Sequence, residues 1–277
     1  MNWNEKVAVI TGAGGVLLSA CAKDLAAKGV KIAVLSRDIE HAKHTTEAIT
    51  AAGGIAKAYA CDVLDKDALI KAEEEIFKDF GQYHILINGA GGNRAEANTT
   101  NEIFNPEDLG NPQVRTFFDL DYKEISKVFD VNFLGAFITT QVFARRLVGV
   151  KGACVINFSS MSADRPMTKV LGYGAAKAAI DNFTQWLAVH FAEQGIRVNA
   201  VAPGFFVTNQ NRNLLINPDG SLTPRSKKII AGTPMRRFGD VEDLFGTISW
   251  LCDDSASGFV TGIVVPVDGG FSAYSGV

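Results

Sequence analysis

Residues Lys6 to Ser36 read KVAVITGAGGVLLSACAKDLAAKGVKIAVLS, and their pattern decides the fold. The short apolar run KVAVIT predicts a buried strand over Lys6 to Thr11, which leads directly into Gly12, Ala13, Gly14 and Gly15. A helix is expected from Val16 to Lys28, stopped by Gly29, and a second strand from Lys31 to Ser36. Glycines in a strand-to-helix turn let the backbone approach a pyrophosphate, whose charge the helix N-terminus favours. A turn of this kind is by itself a weak signal for a dinucleotide site.

The same alternation continues outward. Further strands are expected at Ala56 to Asp62, Ile85 to Asn88, Ala153 to Ser159, Arg197 to Ala202 and Ile263 to Val267. Helices are expected at Ile39 to Ala52, Lys66 to Phe80, Tyr122 to Val148, Tyr173 to Gln194 and Val241 to Leu251. Apolar runs alternating with helices imply an α/β fold: a doubly wound, Rossmann-like parallel sheet in three layers, covering residues 1–277 as one domain. Two segments interrupt the rhythm, 93–121 and 205–238, both polar and broken by prolines. Long insertions after the C-terminal ends of strands lie where open parallel sheets bind ligands.

With 277 residues and a net charge of −3, the chain has no basic footprint for nucleic acid. No apolar run reaches the ~18 residues of a membrane span, and MNWNEKVAVITG enters a strand without a leader, so a cytoplasmic protein is expected. Cys21, Cys61, Cys154 and Cys252 are scattered and read as buried apolar residues. His41 and His44 have i, i+3 spacing but lack nearby carboxylate or thiol partners for a metal, so they read as a solvated surface pair and no metal is expected.

The stretch SMSADRPMTKVLGYGAAK, Ser160 to Lys177, carries the candidate chemistry. Tyr173 and Lys177 are four residues apart on a predicted helix and leave one face together. A phenol titrating near 10 is a poor base at neutral pH, and a neighbouring ammonium lowers that value. A shift of about three units is worth roughly 4 kcal/mol. Ser160 ends a predicted strand, so three groups can converge on one oxygen. Bare Tyr-x-x-x-Lys spacing also occurs on surface helices, and Asn132 can equally be a buried helix residue satisfying backbone groups.

Taken together, TGAGG, NGAG at Asn88 to Gly91, VN at Asn132, Ser160, Tyr173, Lys177 and PGFFVT at Pro203 to Thr208 resemble the short-chain dehydrogenase/reductase family from end to end. The resemblance implies a nicotinamide cofactor and, most often, a homotetramer; the sequence itself does not separate a dimer from a tetramer. It makes Asn132, Ser160, Tyr173 and Lys177 the catalytic set. Tyr173 would exchange the hydroxyl proton, Ser160 would bond the same oxygen, and Lys177 would also hold the cofactor ribose. For the cofactor it implies Gly12, Gly14, Gly15, Val16 and Leu17 at the phosphates, and Asp62 and Val63 beside adenine. Asn88, Gly89, Ala90 and Gly91 would form a wall, with Pro203, Gly204 and Thr208 at the nicotinamide.

One departure stands out. Where the family fingerprint continues with two further glycines, this chain has Val16 and Leu18. Leu18 is expected to push the first helix outward or alter the pyrophosphate contact. The second strand ends in Ser36 and Arg37, a pair suited to a 2′-phosphate, so NADP(H) is favoured slightly over NAD(H); Asp38 works against that preference.

Arg94, Arg165, Lys169 and Arg212 lie on segments expected around the site mouth, and each suits a substrate carboxylate or simple surface charge. Asn209 adds an amide suited to hydroxyls. The 93–121 insertion, SSMSADRPMTK, PGFFVTNQNRNLL and VPVDGGFSAYSGV resemble the D-mannonate oxidoreductase, or fructuronate reductase, branch of the family. That likeness implies a small sugar acid, with gluconate 5-dehydrogenase as a near competitor. A cofactor-binding sensor without turnover is the reading from another class.

Overall fold

The computed structural model describes residues 3–208 and 211–276. Seven parallel strands form one sheet in the order β3-β2-β1-β4-β5-β6-β7. They are β1 (Val7–Thr11), β2 (Lys31–Ser36), β3 (Ala56–Ala60), β4 (Ile85–Asn88), β5 (Cys154–Phe158), β6 (Arg197–Pro203) and β7 (Val264–Val267). Their central members are buried on both faces, which explains why they read as unbroken apolar runs.

Helices α1 (Val16–Ala27), α2 (Ile39–Ala51) and α3 (Lys66–Phe80) connect the first four strands. One core layer packs α1 and the later helix α9 (Phe245–Cys252) on the sheet through Leu18, Leu25, Ile248 and Leu251. The opposite layer buries Leu69, Ile76, Phe143 and Leu187. Chain order reverses between β1 and β4, and the crevice outside their carboxyl ends is where such sheets bind ligands.

The expected helix from Tyr122 to Val148 is broken. Helix α4 (Tyr122–Phe129) passes into one π-helical segment at Asp130–Leu134 before α5 (Gly135–Phe143). Helix α6 (Leu171–Phe191) begins two residues ahead of Tyr173. The long segment after β6 is not loop throughout: it holds α7 (Arg212–Leu215) and α8 (Pro224–Gly232). Thr223 caps α8 by accepting from the Ser226 N–H, and Pro224 opens it, as its fixed φ suits. A short α10 (Asp254–Ser257) follows α9.

Candidate active site

The glycine turn is built as a close-approach surface. Gly12 has φ +72°, and a Cβ there would stand 2.7 Å from the Gly89 carbonyl oxygen. Thr45 pins the turn by donating to the Ala13 carbonyl at 2.9 Å, and Gly15 N–H closes it on Gly12 O at 2.9 Å. Gly15 caps α1 without a side-chain bond, so the first N–H groups of α1 remain available to an anion. Across the crevice, Thr11 Oγ1 accepts from Gly89 and Ala90 N–H at 3.1 and 3.3 Å, fixing the loop after β4 to the end of β1.

A cavity of about 660 Å³ runs from this turn to the 205–238 segment (the lid), whose residues line its far end. Gly12, Gly15, Val16, Leu17, Gly89 and Gly91 line one end, and Pro203, Gly204 and Thr208 another part. Gly14 lies behind the lining, against Ser36 and His41. Asn88 is not a wall of the cavity. Its amide donates to Asn157 and Thr140, each at 2.9 Å, in a buried ladder that ties β4 to β5 and α5. Ala90 also stays outside the lining. Ser36 and Arg37 stand at the carboxyl end of β2, with Ser36 half-buried and Arg37 exposed. Asp38 is engaged as the cap of α2, accepting from Glu40 N–H at 2.9 Å. Beyond β3, Asp62 accepts from Leu64 N–H at 3.0 Å, and Val63 packs where a Cβ on Gly135 would fall.

Ser160, Tyr173, Lys177 and Asn132 meet on the floor of this cavity. Ser160 caps a short 3₁₀ turn, Met161–Ala163, and bonds the Tyr173 hydroxyl. Its Oγ accepts from Ser162 twice, from N–H at 3.2 Å and from Oγ–H at 3.0 Å. With both lone pairs engaged, the Ser160 proton is directed outward as a donor.

Lys177 is buried; its Nζ donates to the Phe158 carbonyl at 2.7 Å and lies 5.6 Å from the Tyr173 ring centre. Burial lowers the Lys177 pKa to about 8, with Asp181 opposing. Burial also raises the Tyr173 phenol, and the Ser160 bond works against that rise. The lowering expected from the ammonium therefore does not prevail in the free site, where desolvation dominates. Asp181, one turn beyond Lys177, was signalled by the same i+4 spacing on the expected helix but was not singled out; burial raises its carboxyl, while Ser159 and Lys177 hold it down.

Asn132 lies in the π-helical segment, a feature often found at functional sites. Its amide donates to Gly92 O at 2.6 Å and Val128 O at 2.8 Å, and its oxygen accepts from Gly92 N–H at 3.1 Å. It thus satisfies backbone groups on the loop after β4 and on α4. A Cβ on Gly91 would stand 2.5 Å from the Asn132 oxygen, so only glycine fits between it and Lys177. The bare backbone at Gly12 and Gly91, together with the open α1 N-terminus, fits an elongated anionic nucleotide.

The expected substrate residues separate. Arg94 lines the cavity but pairs with Glu124 at 3.0 Å. Arg165 turns away, donating Nε and Nη2 to the Ser272 carbonyl at 3.1 and 3.0 Å, and so secures the C-terminal segment. Lys169 sits at φ +74° outside the lining, its carbonyl accepting from Thr99 N–H at 3.2 Å. Arg212 is exposed at the start of α7, also outside the lining, and Asn209 lies outside the described residues. Arg225, Asn98 and Met167 do line the cavity and went unrecognised in the sequence. For Arg225 the signal was the Thr223-Pro224 helix start immediately before it.

A family model described as Enoyl-(Acyl carrier protein) reductase matches residues 17–272. The uncharacterized oxidoreductase UxuB of Bacillus subtilis (strain 168) is 58% identical over 276 residues, spanning 100% of this chain and 98% of its own. A crystal structure of a "putative D-Mannonate oxidoreductase" from Haemophilus influenza with bound NAD superposes at TM-score 0.95 and 52% identity, over 99% of this chain and 97% of that one. NAD+-bound xylitol dehydrogenase superposes at TM-score 0.83 and 28% identity, over 98% of this chain and 100% of that one.

Proposed function

Since the chain belongs to the short-chain dehydrogenase/reductase family of oxidoreductases, we propose that it interconverts a sugar-acid alcohol and its keto acid, with D-mannonate and D-fructuronate as the pair. One observation carries this reading. The Ser160–Tyr173 pair opens into a cavity whose described lining holds Arg94, Lys177 and Arg225 and no carboxylate. That lining favours an anion beside the proton-transfer groups. The D-mannonate name borne by the Haemophilus relative supports the choice of sugar acid.

A bound nicotinamide supplies or accepts the hydride. In the reducing direction Tyr173 gives its proton to the carbonyl oxygen, and Ser160 donates a hydrogen bond to the same oxygen as charge develops there. Lys177, when charged, favours the phenolate that remains. Asn132 keeps Gly92 and the π-helical segment in place behind these groups. NAD(H) is the first cofactor reading, supported by the NAD held in the Haemophilus relative. NADP(H) is the second, supported by exposed Arg37 beside Ser36.

Among the described residues no helix is long and apolar enough to cross a membrane. The outer faces of α4 and α6 expose Tyr122, Trp186 and Val189, at 76%, 58% and 81%. Apolar surface of this extent supports association of identical subunits as a tetramer, and a cytoplasmic location completes the proposal. Kinetics of the purified protein with NADH and NADPH against D-fructuronate, 5-keto-D-gluconate and D-tagaturonate test the reading. Turnover of D-fructuronate with the highest kcat/KM supports it; cofactor binding with no turnover of any keto acid refutes it.

A further inference from the structure

We propose that Arg225 is the residue that selects a carboxylate-bearing substrate, an inference that rests on the sugar-acid reading above. Among the described residues lining the cavity there are three cations, and two are committed. Arg94 donates Nε to Glu124 at 3.0 Å, and Lys177 donates to the Phe158 carbonyl at 2.7 Å as part of the proton-transfer cluster. Arg225 differs. Its contact with Glu102 is 3.7 Å, beyond hydrogen-bond reach, while Glu102 accepts from Lys228 at 2.9 Å.

Lys228 takes Glu102 Oε2, while Oε1 faces Arg225 Nη1 only at ion-pair distance, so the Arg225 guanidinium keeps its hydrogen-bond donors for a ligand. Glu102 contributes by holding the guanidinium electrostatically at the seam between the 93–121 insertion and α8. The position is also suited to specificity. Arg225 is on α8 among Leu214, Leu215 and Ile229, at the lid part of the cavity and remote in sequence from the glycine turn that would meet the cofactor phosphates. A planar guanidinium engages a carboxylate bidentately, a geometry that an ammonium does not reproduce. At 33% side-chain exposure the ion pair would form partly shielded from water, where it gains more than on an open surface.

The test is steady-state kinetics of the wild type, Arg225→Leu and Arg225→Lys with D-fructuronate, with 5-keto-D-gluconate and with neutral D-fructose. Loss of a charge-assisted hydrogen bond predicts a KM for the keto acids raised roughly 10- to 100-fold in Arg225→Leu. Little change is expected in kcat, in the KM for NADH or in activity on D-fructose. Arg225→Lys is expected to recover part of the loss. A raised KM for NADH together with a lowered melting temperature in Arg225→Leu, with Arg225→Lys unimpaired toward keto acids, would assign the residue to lid structure and overturn the proposal. If the wild type reduces keto acids and Arg225→Leu does so with a KM within about two-fold of it, Arg225 is not the selector and the sugar-acid reading stands. If the wild type reduces only neutral ketoses, the sugar-acid reading itself fails, and this assignment with it.

Discussion

Leu18 on α1 fills the space that a side chain at position 89 would need: a Cβ on Gly89 would lie 2.6 Å from Leu18 Cγ. Leu18 is 6% exposed and belongs to the core beneath the crevice. Leu18 and the loop after β4 thus meet closely, and the absence of a side chain at Gly89 gives the leucine its room. Gly89→Ala is expected to destabilise the protein by about 1–3 kcal/mol through overpacking. Leu18→Ala, which opens a cavity, is expected to cost about 2–4 kcal/mol. In the double variant the two costs should be less than additive by about 1 kcal/mol or more, measured by denaturant unfolding. Simple additivity would show that the two sites are independent.

Ser162 is expected to position Ser160 for the proposed proton transfer. Ser162→Ala removes the Oγ–H donor and leaves the N–H donor, so Ser160 regains one free lone pair and a second rotamer. A lost hydrogen bond of about 1 kcal/mol predicts a fall in kcat of roughly five-fold, with KM for cofactor unchanged. Equal kcat in the two proteins would mean that Ser160 needs no such positioning.

Lys177 makes stability depend on pH in a particular direction. Its pKa falls from the ordinary 10.5 to about 8 on folding, so between those values the unfolded chain binds the extra proton. The stabilising contribution is fully present above pH 10.5 and is lost as pH falls through about 8. Wild type should therefore gain stability relative to Lys177→Met on going from pH 8 to pH 10.5, by at most about 3 kcal/mol. Denaturant midpoints across that window measure it. A constant difference between the two proteins would show that the lysine titrates alike folded and unfolded.

The sheet was legible because each strand buried on both faces reads as a short apolar run, and β2 and β4 have the bounds those runs imply. The meeting of Ser160, Tyr173 and Lys177 in one cavity was legible because they sit on one strand end and the following helix. Less legible were features that depend on distant backbone. Asn132 bonds Gly92, 40 residues away, and lies in the π-helical segment that breaks the expected helix after Tyr122. Arg165 finds the Ser272 carbonyl 107 residues on, and nothing in its own neighbourhood announces that partner. Arg225 was hidden because NPDG and two prolines made its surroundings read as loop, although Thr223-Pro224 is also a helix start. The balance of pKa effects at Tyr173 was likewise hidden, since desolvation depends on everything packed around the phenol.

One comparison tests most directly whether Tyr173 moves the proton in a hydride transfer to a sugar keto acid: single-turnover reduction of D-fructuronate by the wild type and by Tyr173→Phe, each preloaded with reduced nicotinamide cofactor. Loss of a general acid predicts that the rate falls by about 10²–10⁴-fold in Tyr173→Phe, with cofactor affinity and thermal midpoint little changed. Reduction at the same rate by both proteins would contradict it.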